Sequence, residues 1–296
     1  MAPKPVVQSD ADPRTKFPQI LAVGRRLAPH EDFYHFVLAM TWPRFFGMCA
    51  VAFIVLNALF ATLFAMVPGS IKDASTNLDY FFFSVETLAT IGYGEMSPAN
   101  HYGHFLVVTE AFVGIVFSAV ITGLTFARFA RPQARILFSE KLVVAPRDGV
   151  PHLMLRMANW RRNQIIDANL TMLVLITETT KEGETMRKPV ALKLVREKNP
   201  MFALSWTAMH CIDAESPFYG EEGIAKLRAM RADIFVTMYG LDETMMQTIV
   251  ARYRYSLDDI VFNARFADLL VVRDDGARVI DYDKFHDIEP LGEAKS

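Results

Sequence analysis

The stretch Asp79-Tyr-Phe-Phe-Phe-Ser-Val-Glu-Thr-Leu-Ala-Thr-Ile-Gly-Tyr-Gly-Glu95 decides the fold of this chain. An aspartate that can cap a helix precedes an apolar run of helix length, and this pattern predicts a short helix over residues 79–89. Residues 90–94 then predict an extended segment, because glycine at two alternate positions permits a backbone that alternates in handedness. Such a backbone aims successive carbonyls in one direction, where they can replace the hydration shell of a cation.

The composition predicts a protein with a membrane part. The chain has 296 residues, 52% of them hydrophobic, and its mean hydropathy of +0.19 is high for a purely soluble protein. Its formal net charge of -2 gives no global basic field, so we expect no nucleic-acid partner. Cys49 falls in an apolar segment and Cys211 in the C-terminal half, so no disulfide is expected.

Two segments are long and apolar enough to span a membrane. Residues 45–67 carry no charge and predict a helix of about 34 Å, against a hydrocarbon core of about 30 Å. Residues 102–127 predict a second span, interrupted only by Glu110 near its outer end. The segment 79–94 lies between the spans, and irregular backbone at membrane depth is tolerated only where it lines a pore. A pore domain over residues 42–132 is therefore predicted, which argues against the alternative that Gly-Tyr-Gly is an ordinary turn.

The segments before the first span indicate its orientation. Residues 1–30 mix prolines and charges without an apolar core, and predict a mobile cytoplasmic arm and not a signal peptide. Residues 31–41 are amphipathic at helical spacing, which is typical of a slide helix on the inner membrane surface or, alternatively, of a globular helix packed on a core. Lys and Arg are abundant before residue 45 and nearly absent from residues 68–104, so both termini are predicted to be cytoplasmic.

Residues 133–296 predict one soluble β-rich domain. Short β-favouring runs alternate with turn signals, which is typical of a β-sandwich, and only Ser216–Met230 suggests a helix. The predicted strand runs are Leu142–Ala145, His152–Met157, Leu170–Ile176, Ala191–Val195, Ile234–Met238 and Asp268–Val272.

With these parts in place, the chain resembles the prokaryotic inward-rectifier potassium channels of the KirBac family. Its filter is nearly identical to the Thr-Val-Gly-Tyr-Gly loop of potassium channels. Further family-like stretches are Ala127–Pro132, Leu155–Asn159, Ser205-Trp206, Met209-His210, Ile212-Asp213, Ser216-Pro217, Tyr282 and Phe285-His286. The resemblance implies two transmembrane helices with a re-entrant pore helix and filter, followed by an all-β immunoglobulin-like cytoplasmic sandwich. It also implies a homotetramer in the bacterial inner membrane, since one chain supplies one filter strand.

The resemblance implies a role for each residue of the filter. Potassium is expected to bind the backbone carbonyls and the Thr90 hydroxyl of the strand Thr90, Ile91, Gly92, Tyr93 and Gly94. Glu86 matches a carboxyl behind the filter, and Glu95 matches an acid just outside it. Two carboxylates so close would repel, so a shared proton or a bound water is expected between them. A simple hydrogen-bonding role for Glu86 is the alternative.

The resemblance also assigns positions in the inner helix. Gly114 matches a flexible position, although a plain packing glycine is the alternative. Phe126 matches the residue where the inner helices converge and four rings form an apolar constriction, with Thr122 and Leu124 lining the approach. Strongly rectifying relatives carry an acid where this chain has Ser118, so cytoplasmic magnesium and polyamines are expected to be weak blockers.

Two further sets of residues follow from the resemblance. In the cytoplasmic pore, Glu184 matches an acidic position, whereas Tyr239 replaces an acid expected on a loop before Gly240. At the inner leaflet, Arg128, Arg131 and Arg135 could hold anionic lipid headgroups. The alternative for these arginines is positive-inside topology alone.

Other classes of function receive less support from the sequence. A membrane-tethered binding module is the main alternative, and ion flux through purified protein would separate it from a channel. The histidines lack metal-ligand spacing, and neither Gly-x-Ser-x-Gly nor a Gly-rich phosphate loop occurs. We therefore predict no catalytic residue and no cofactor, with potassium as the permeant ligand.

Overall fold

Four helices form the membrane part of the computed structural model, which describes residues 33–132, 134–272 and 278–292. They are α1 (Phe33–Ala39), α2 (Trp42–Ala65), α3 (Asn77–Leu88) and α4 (His101–Phe129), with the two-residue strands β1 (Ile71–Lys72) and β2 (Ser97–Pro98). The two strands pair antiparallel. Both α2 and α4 are long and apolar enough to cross a membrane. The predicted order of helix, short re-entrant helix and helix is confirmed.

The helix ends differ from the predictions for local reasons. α2 begins at Trp42 and not at residue 45, because Thr41 takes the N-cap position and Pro43 lies in the first turn, where its missing N–H costs nothing. α3 begins at Asn77, so the prediction that Asp79 is its N-cap was wrong. Thr76 is the cap, and Asp79 is its partner in a capping box: the Asp79 N–H donates to Thr76 Oγ1 over 3.2 Å, and Asp79 Oδ2 accepts from the Thr76 N–H over 2.7 Å.

The first predicted segments are described only in part. Of the predicted slide helix over residues 31–41, the structure has α1 at Phe33–Ala39, with Val37 and Leu38 buried. The predicted arm over residues 1–30 lies outside the described residues.

An apolar cluster holds α2, α3 and α4 together. Phe60 and Phe64 of α2 pack with Tyr80 and Phe83 of α3 and Leu106 of α4, all of them buried. The rings of Phe64 and Phe83 meet edge to face with centroids 5.3 Å apart. Since α3 ends two residues before Thr90, this cluster fixes where residues 90–94 begin.

The chain divides after Arg131, and Pro132 begins a second unit built of strands. One sheet has the strand order β12-β4-β5-β3 with β9 also paired to β5, and the other has β11-β10-β6-β7 with β8 also paired to β6. The strands are β3 (Ile136–Phe138), β4 (Leu142–Arg147), β5 (Val150–Asn159), β6 (Ile165–Thr179), β7 (Thr185–Leu192), β8 (Lys198–Phe202), β9 (Ser205–Cys211), β10 (Asp233–Asp242), β11 (Gln247–Ser256), β12 (Ile260–Phe262), β13 (Ala264–Phe266), β14 (Leu270–Val272), β15 (Arg278–Ile280) and β16 (Ile288–Pro290), and the helix is α5 (Gly220–Ala229).

The two large sheets share one core. Leu153 and Leu155 of one sheet lie in the same buried cluster as Met172, Ile234 and Val236 of the other. Two sheets packed through alternating inward side chains form a sandwich, so the predicted β-sandwich class is confirmed.

Several strands were missed in the sequence although their pattern was present. In β11 the buried side chains Ile249, Ala251, Tyr253 and Tyr255 alternate with outward residues. This period of two predicts a half-buried strand. Two arginines at outward positions masked the pattern, because they lowered the apolar content of the run.

Candidate functional site

The segment after α3 has the backbone that the sequence predicted. Residues Thr90, Gly92 and Gly94 have φ angles of 55°, 61° and 83°, whereas Ile91 and Tyr93 between them do not have positive φ. Alternation between left- and right-handed backbone turns successive carbonyls toward one side. The left-handed conformation of Thr90 was not predicted, because a β-branched residue disfavours it.

Hydrogen bonds from the last turn of α3 fasten the start of this segment. The Ile91 N–H donates to the carbonyl of Glu86 over 2.8 Å, and the Thr90 N–H donates to that of Thr87 over 3.1 Å. The side chains of the segment stay outside the apolar cluster, since Ile91 is 46% and Tyr93 76% exposed in the single chain. One chain therefore presents this strand along an open face.

The two carboxyls predicted to support the filter lie in different surroundings. Glu86 is half-buried on α3, and Glu95 is exposed. Within the described part of the chain, neither side-chain carboxyl makes a hydrogen bond. A shared proton or a bridging water between them stays a prediction.

A different carboxyl is the buried one, and the sequence reasoning did not assign it a role. Glu110 of α4 is fully buried and makes a short hydrogen bond with Ser84 of α3. Ser84 Oγ also lies 3.0 Å from Asn57 Oδ1, so these polar contacts extend from α3 to α2 as well as to α4. The available signal was the carboxyl itself, because an ionisable residue inside a spanning helix is costly unless it serves a purpose.

Gly114 lets α4 approach α3 closely. A Cβ atom at this position would lie 2.5 Å from the backbone carbonyl oxygen of Leu88, the last residue of α3. A backbone atom cannot yield as a flexible side chain would. This contact supports the packing interpretation of Gly114 over the flexible one.

We expect Gly114→Ala to destabilise the protein by about 1–3 kcal/mol per chain, because the added methyl overpacks the contact with Leu88. Thermal unfolding of the detergent-solubilised protein measures the effect. The matched control is Gly47→Ala on α2, where a Cβ meets nothing within 4 Å. Equal melting temperatures for the two variants would show that α4 does not rest on the end of α3 at this point.

Three of the predicted cavity and gate residues form one stripe on α4. Ser118, Thr122 and Phe126 are four positions apart and therefore lie on one face of the helix. All three are exposed in the single chain, Phe126 by 73%. Leu124 is two positions from Thr122, which turns its side chain about 200° away. Leu124 therefore lies off the stripe, and its place in the lining of the approach stays a prediction.

The guanidinium of Arg128 is held by hydrogen bonds and aromatic rings within the membrane unit. Its Nη1 donates to the Val37 carbonyl over 2.5 Å and its Nη2 to the Met40 carbonyl over 2.6 Å, both at the C-terminal end of α1. Its guanidinium carbon lies 4.7 Å from the ring centroid of Trp42 and 4.8 Å from that of Phe45. A cation near the last carbonyls of a helix is stabilising, as is a cation over an aromatic face.

This arrangement corrects the prediction for Arg128, because its guanidinium caps α1 and is not free for a lipid headgroup. Arg131 is exposed and donates to the carbonyl of Leu38 over 3.3 Å, and Arg135 is exposed in the second unit. The sequence could not reveal the difference among these arginines, since it depends on a contact across about ninety positions of the chain.

Comparison with known proteins agrees with this geometry. Residues 47–131 match the family described as ion channel, and residues 136–295 match the inward rectifier potassium channel C-terminal domain. The chain is 40% identical over 260 residues to the inward rectifier potassium channel Kirbac3.1 of Paramagnetospirillum magnetotacticum, covering 87% of this chain and 88% of that protein. The chain belongs to the inward rectifier potassium channel family. This inward rectifier thus belongs to a family of ion channels and is not an enzyme.

Eukaryotic relatives are longer than this inward rectifier. It is 27% identical over 287 residues to the inward rectifier potassium channel irk-1 of Caenorhabditis elegans, covering 88% of this chain and 53% of irk-1. It is 30% identical over 215 residues to the human G protein-activated inward rectifier potassium channel 1, covering 70% of this chain and 42% of that protein. The similarity thus covers both the membrane part and the β-rich domain.

One family-based prediction for the cytoplasmic domain of this inward rectifier was wrong. Tyr239 and Gly240 do not lie on a loop, because β10 continues through them and pairs with both β6 and β11. The pairing with β6 shifts between Tyr239 and Leu241, and a Cβ at Gly240 would lie 2.5 Å from Ile165 Cγ2. Gly240 therefore lies at a β-bulge where close packing leaves no room for a side chain.

The actual turn follows β10. Asp242 ends the strand and its Oδ1 accepts the N–H groups of Thr244 and Met245 over 2.9 and 3.1 Å. Met246 completes the turn at a φ of 51°. Glu184 is exposed in the turn between β6 and β7, where its N–H donates to Thr180 Oγ1 over 3.3 Å.

Proposed function

We propose that this chain forms a homotetrameric, potassium-selective channel in a bacterial inner membrane, with both termini in the cytoplasm. The observation that carries the proposal is the alternating backbone of residues 90–94 directly after a re-entrant helix. Four such strands around an axis would surround potassium with carbonyl oxygens. The exposed face of this strand in one chain supports assembly, since apolar groups as large as Ile91 and Tyr93 need cover.

Ion flux into liposomes tests this proposal. Purified full-length protein should take up rubidium, external potassium should compete with this uptake, and sodium or lithium should not. A membrane-tethered binding module would take up no rubidium above protein-free liposomes. Competition by sodium equal to that by potassium would also contradict the proposal.

The proposed channel has its gate where the inner helices converge at Phe126. Phe126 is at the end of the exposed stripe that begins at Ser118, and four phenylalanine rings would exclude water when the helices approach. Residues 128–135 connect this constriction covalently to the cytoplasmic domain. We infer that the cytoplasmic domain acts on the gate through this connection, with Glu184 facing the cytoplasmic pore.

Weak rectification follows from the uncharged side chain of Ser118. We expect Ser118→Asp to deepen the voltage-dependent block by internal spermine or magnesium, because four carboxylates in the cavity attract cytoplasmic cations. Patch recordings with internal spermine measure the block, and Ser118→Asn is the neutral control of similar size. Equal block of both variants would refute the position assigned to Ser118.

Anionic lipids are proposed to act through Arg131 and Arg135. Neutralising both, as Arg131→Gln with Arg135→Gln, is expected to weaken the response to anionic lipid, at about 1 kcal/mol per basic residue near the surface. Rubidium uptake in liposomes with and without phosphatidylglycerol measures the response. Arg187→Gln with Arg228→Gln removes the same charge from exposed positions of the cytoplasmic domain and serves as control. The proposal fails if both double variants keep the same lipid dependence.

A further inference from the structure

Three polar side chains meet in the interior of the membrane unit, one from each of its long or re-entrant helices. Asn57 of α2, Ser84 of α3 and Glu110 of α4 are each completely buried. Their surroundings are apolar, since the cluster of Phe60, Phe64, Tyr80, Phe83 and Leu106 packs the same three helices. Buried polar groups of this kind persist only when their hydrogen bonds are satisfied.

The hydrogen bonds of these three residues require one proton more than an ionised Glu110 provides. The Asn57 amide is oriented by its own helix, because Nδ2 donates to the Phe53 carbonyl over 2.7 Å and leaves Oδ1 as an acceptor. Ser84 Oγ lies within hydrogen-bond distance of both Asn57 Oδ1 and Glu110 Oε1. A hydroxyl has one proton and cannot donate to two acceptors.

A protonated Glu110 completes the chain of donors. Its O–H then donates to Ser84 Oγ, Ser84 donates to Asn57 Oδ1, and Asn57 donates to the Phe53 carbonyl. The other carboxyl oxygen of Glu110 is buried without a partner among the described residues. Burying an oxygen without a hydrogen-bond partner costs far more free energy when the oxygen belongs to a carboxylate than when it belongs to a neutral acid.

No cation of the described residues pairs with the Glu110 carboxyl. From α2 the group facing it is the neutral Asn57, and from α3 it is Ser84, with the buried Tyr80 one turn earlier on the same face. Glu86 is two positions beyond Ser84 and therefore points about 200° away from it. The remaining ionisable residues on these helices and on β1 are Arg44, Cys49, Lys72, Asp79, His101, Tyr102, His104 and Arg128.

We propose that Glu110 is a proton-binding site. Its protonated form links α3, through hydrogen bonds at Ser84, to both spanning helices, α2 and α4. When the carboxyl loses its proton, the Ser84 hydroxyl donates to the carboxylate, and Asn57 Oδ1 loses its donor. α3 then loses its hydrogen bond to α2. Since α3 leads into Thr90 after a single residue, the filter loses a support at alkaline pH. This effect on flux rests on the proposed channel function, whereas the protonation itself does not.

The protonation is tested by infrared spectroscopy of the purified full-length protein at neutral pH. The wild type should show the C=O band of a protonated carboxylic acid, and Glu110→Gln should lack that band. Glu86→Gln, the same chemical change on α3, should keep it. Identical spectra for the wild type and Glu110→Gln would overturn the proposal, whether or not the protein conducts ions.

The functional consequence is tested by rubidium uptake across pH. Wild-type flux should be lost on the alkaline side, by about tenfold for each pH unit beyond the loss of the proton if flux follows the protonated form. Glu110→Gln should keep its flux there, because the amide N–H donates to Ser84 as the acid does. A Glu110→Gln profile that follows the wild type would overturn the link to the filter.

A second variant changes the site without touching the carboxyl. Asn57→Leu removes the acceptor that competes for the Ser84 proton, so Ser84 can donate to the carboxylate and favour it. The acid band and the flux should then be lost at lower pH than in the wild type. An unchanged or higher pH for this loss would contradict the proposed chain of donors.

Discussion

Replacing Gly92 by alanine is expected to remove most of the potassium-selective flux while the protein still folds and assembles. Gly92 has a φ of 61°, and an L-residue in this region costs about 1–2 kcal/mol in each subunit. In the proposed tetramer, rotation of the neighbouring peptide would relieve this strain but would turn its carbonyl away from those of the other three chains. Rubidium uptake into liposomes should fall roughly tenfold or more, since ~1.4 kcal/mol already corresponds to a factor of ten.

The control for this variant shares its backbone strain but not its position. Gly149 has a φ of 81° in the turn between β4 and β5, and a Cβ there meets nothing within 4 Å. Gly149→Ala should therefore lower stability by a similar amount and leave rubidium uptake unchanged. Wild-type selectivity in Gly92→Ala would show that the handedness of this residue does not shape the filter.

Replacing Phe126 by alanine is expected to raise basal flux several-fold without changing the preference for potassium over sodium. Phe126 is at the C-terminal end of the stripe on α4, and in the proposed tetramer the removal of four rings would widen and wet an apolar constriction. The filter begins after α3 and is not altered by this change. Basal rubidium uptake and its competition by sodium measure both parts of the expectation.

Leu124→Ala is the comparison for the gate, because this residue is near Phe126 in sequence but on another side of α4. It should raise basal flux less than Phe126→Ala does. If Phe126→Ala leaves uptake unchanged in an intact tetramer, the narrowest closed point lies elsewhere. The turn between β10 and β11 then becomes the next candidate, since Gly240 itself is held inside a sheet.

The sequence predicted the backbone conformation of residues 90–94 well, because that conformation depends on residue type. Glycine at positions 92 and 94 tolerates the left-handed backbone that the structure has there. Thr90 has the same left-handed backbone but is not a glycine, so its residue type did not predict this conformation. The start of α3 was misplaced for a related reason, because Thr76 and Asp79 can both cap a helix and only the hydrogen bonds decide between them.

Features that depend on contacts between distant residues were not predictable in this way. The role of Arg128 comes from two carbonyls at or just after the end of α1 and from two aromatic rings of α2, all more than eighty positions away in the sequence. The extension of β10 through Gly240 depends on an irregular pairing with β6. A glycine is accommodated at such a bulge, whereas in the sequence alone it suggested a loop. The Glu110 site needs three helices at once, although its carboxyl in a spanning segment was visible from the start.

The reversal potential of single channels tests the proposed selectivity most directly. Purified full-length protein is placed in a planar bilayer with potassium chloride on one side and sodium chloride on the other. The account predicts a current carried by potassium, with a reversal potential displaced far in the direction that opposes potassium flow. A reversal potential near zero, which requires sodium to permeate as readily as potassium, would contradict it.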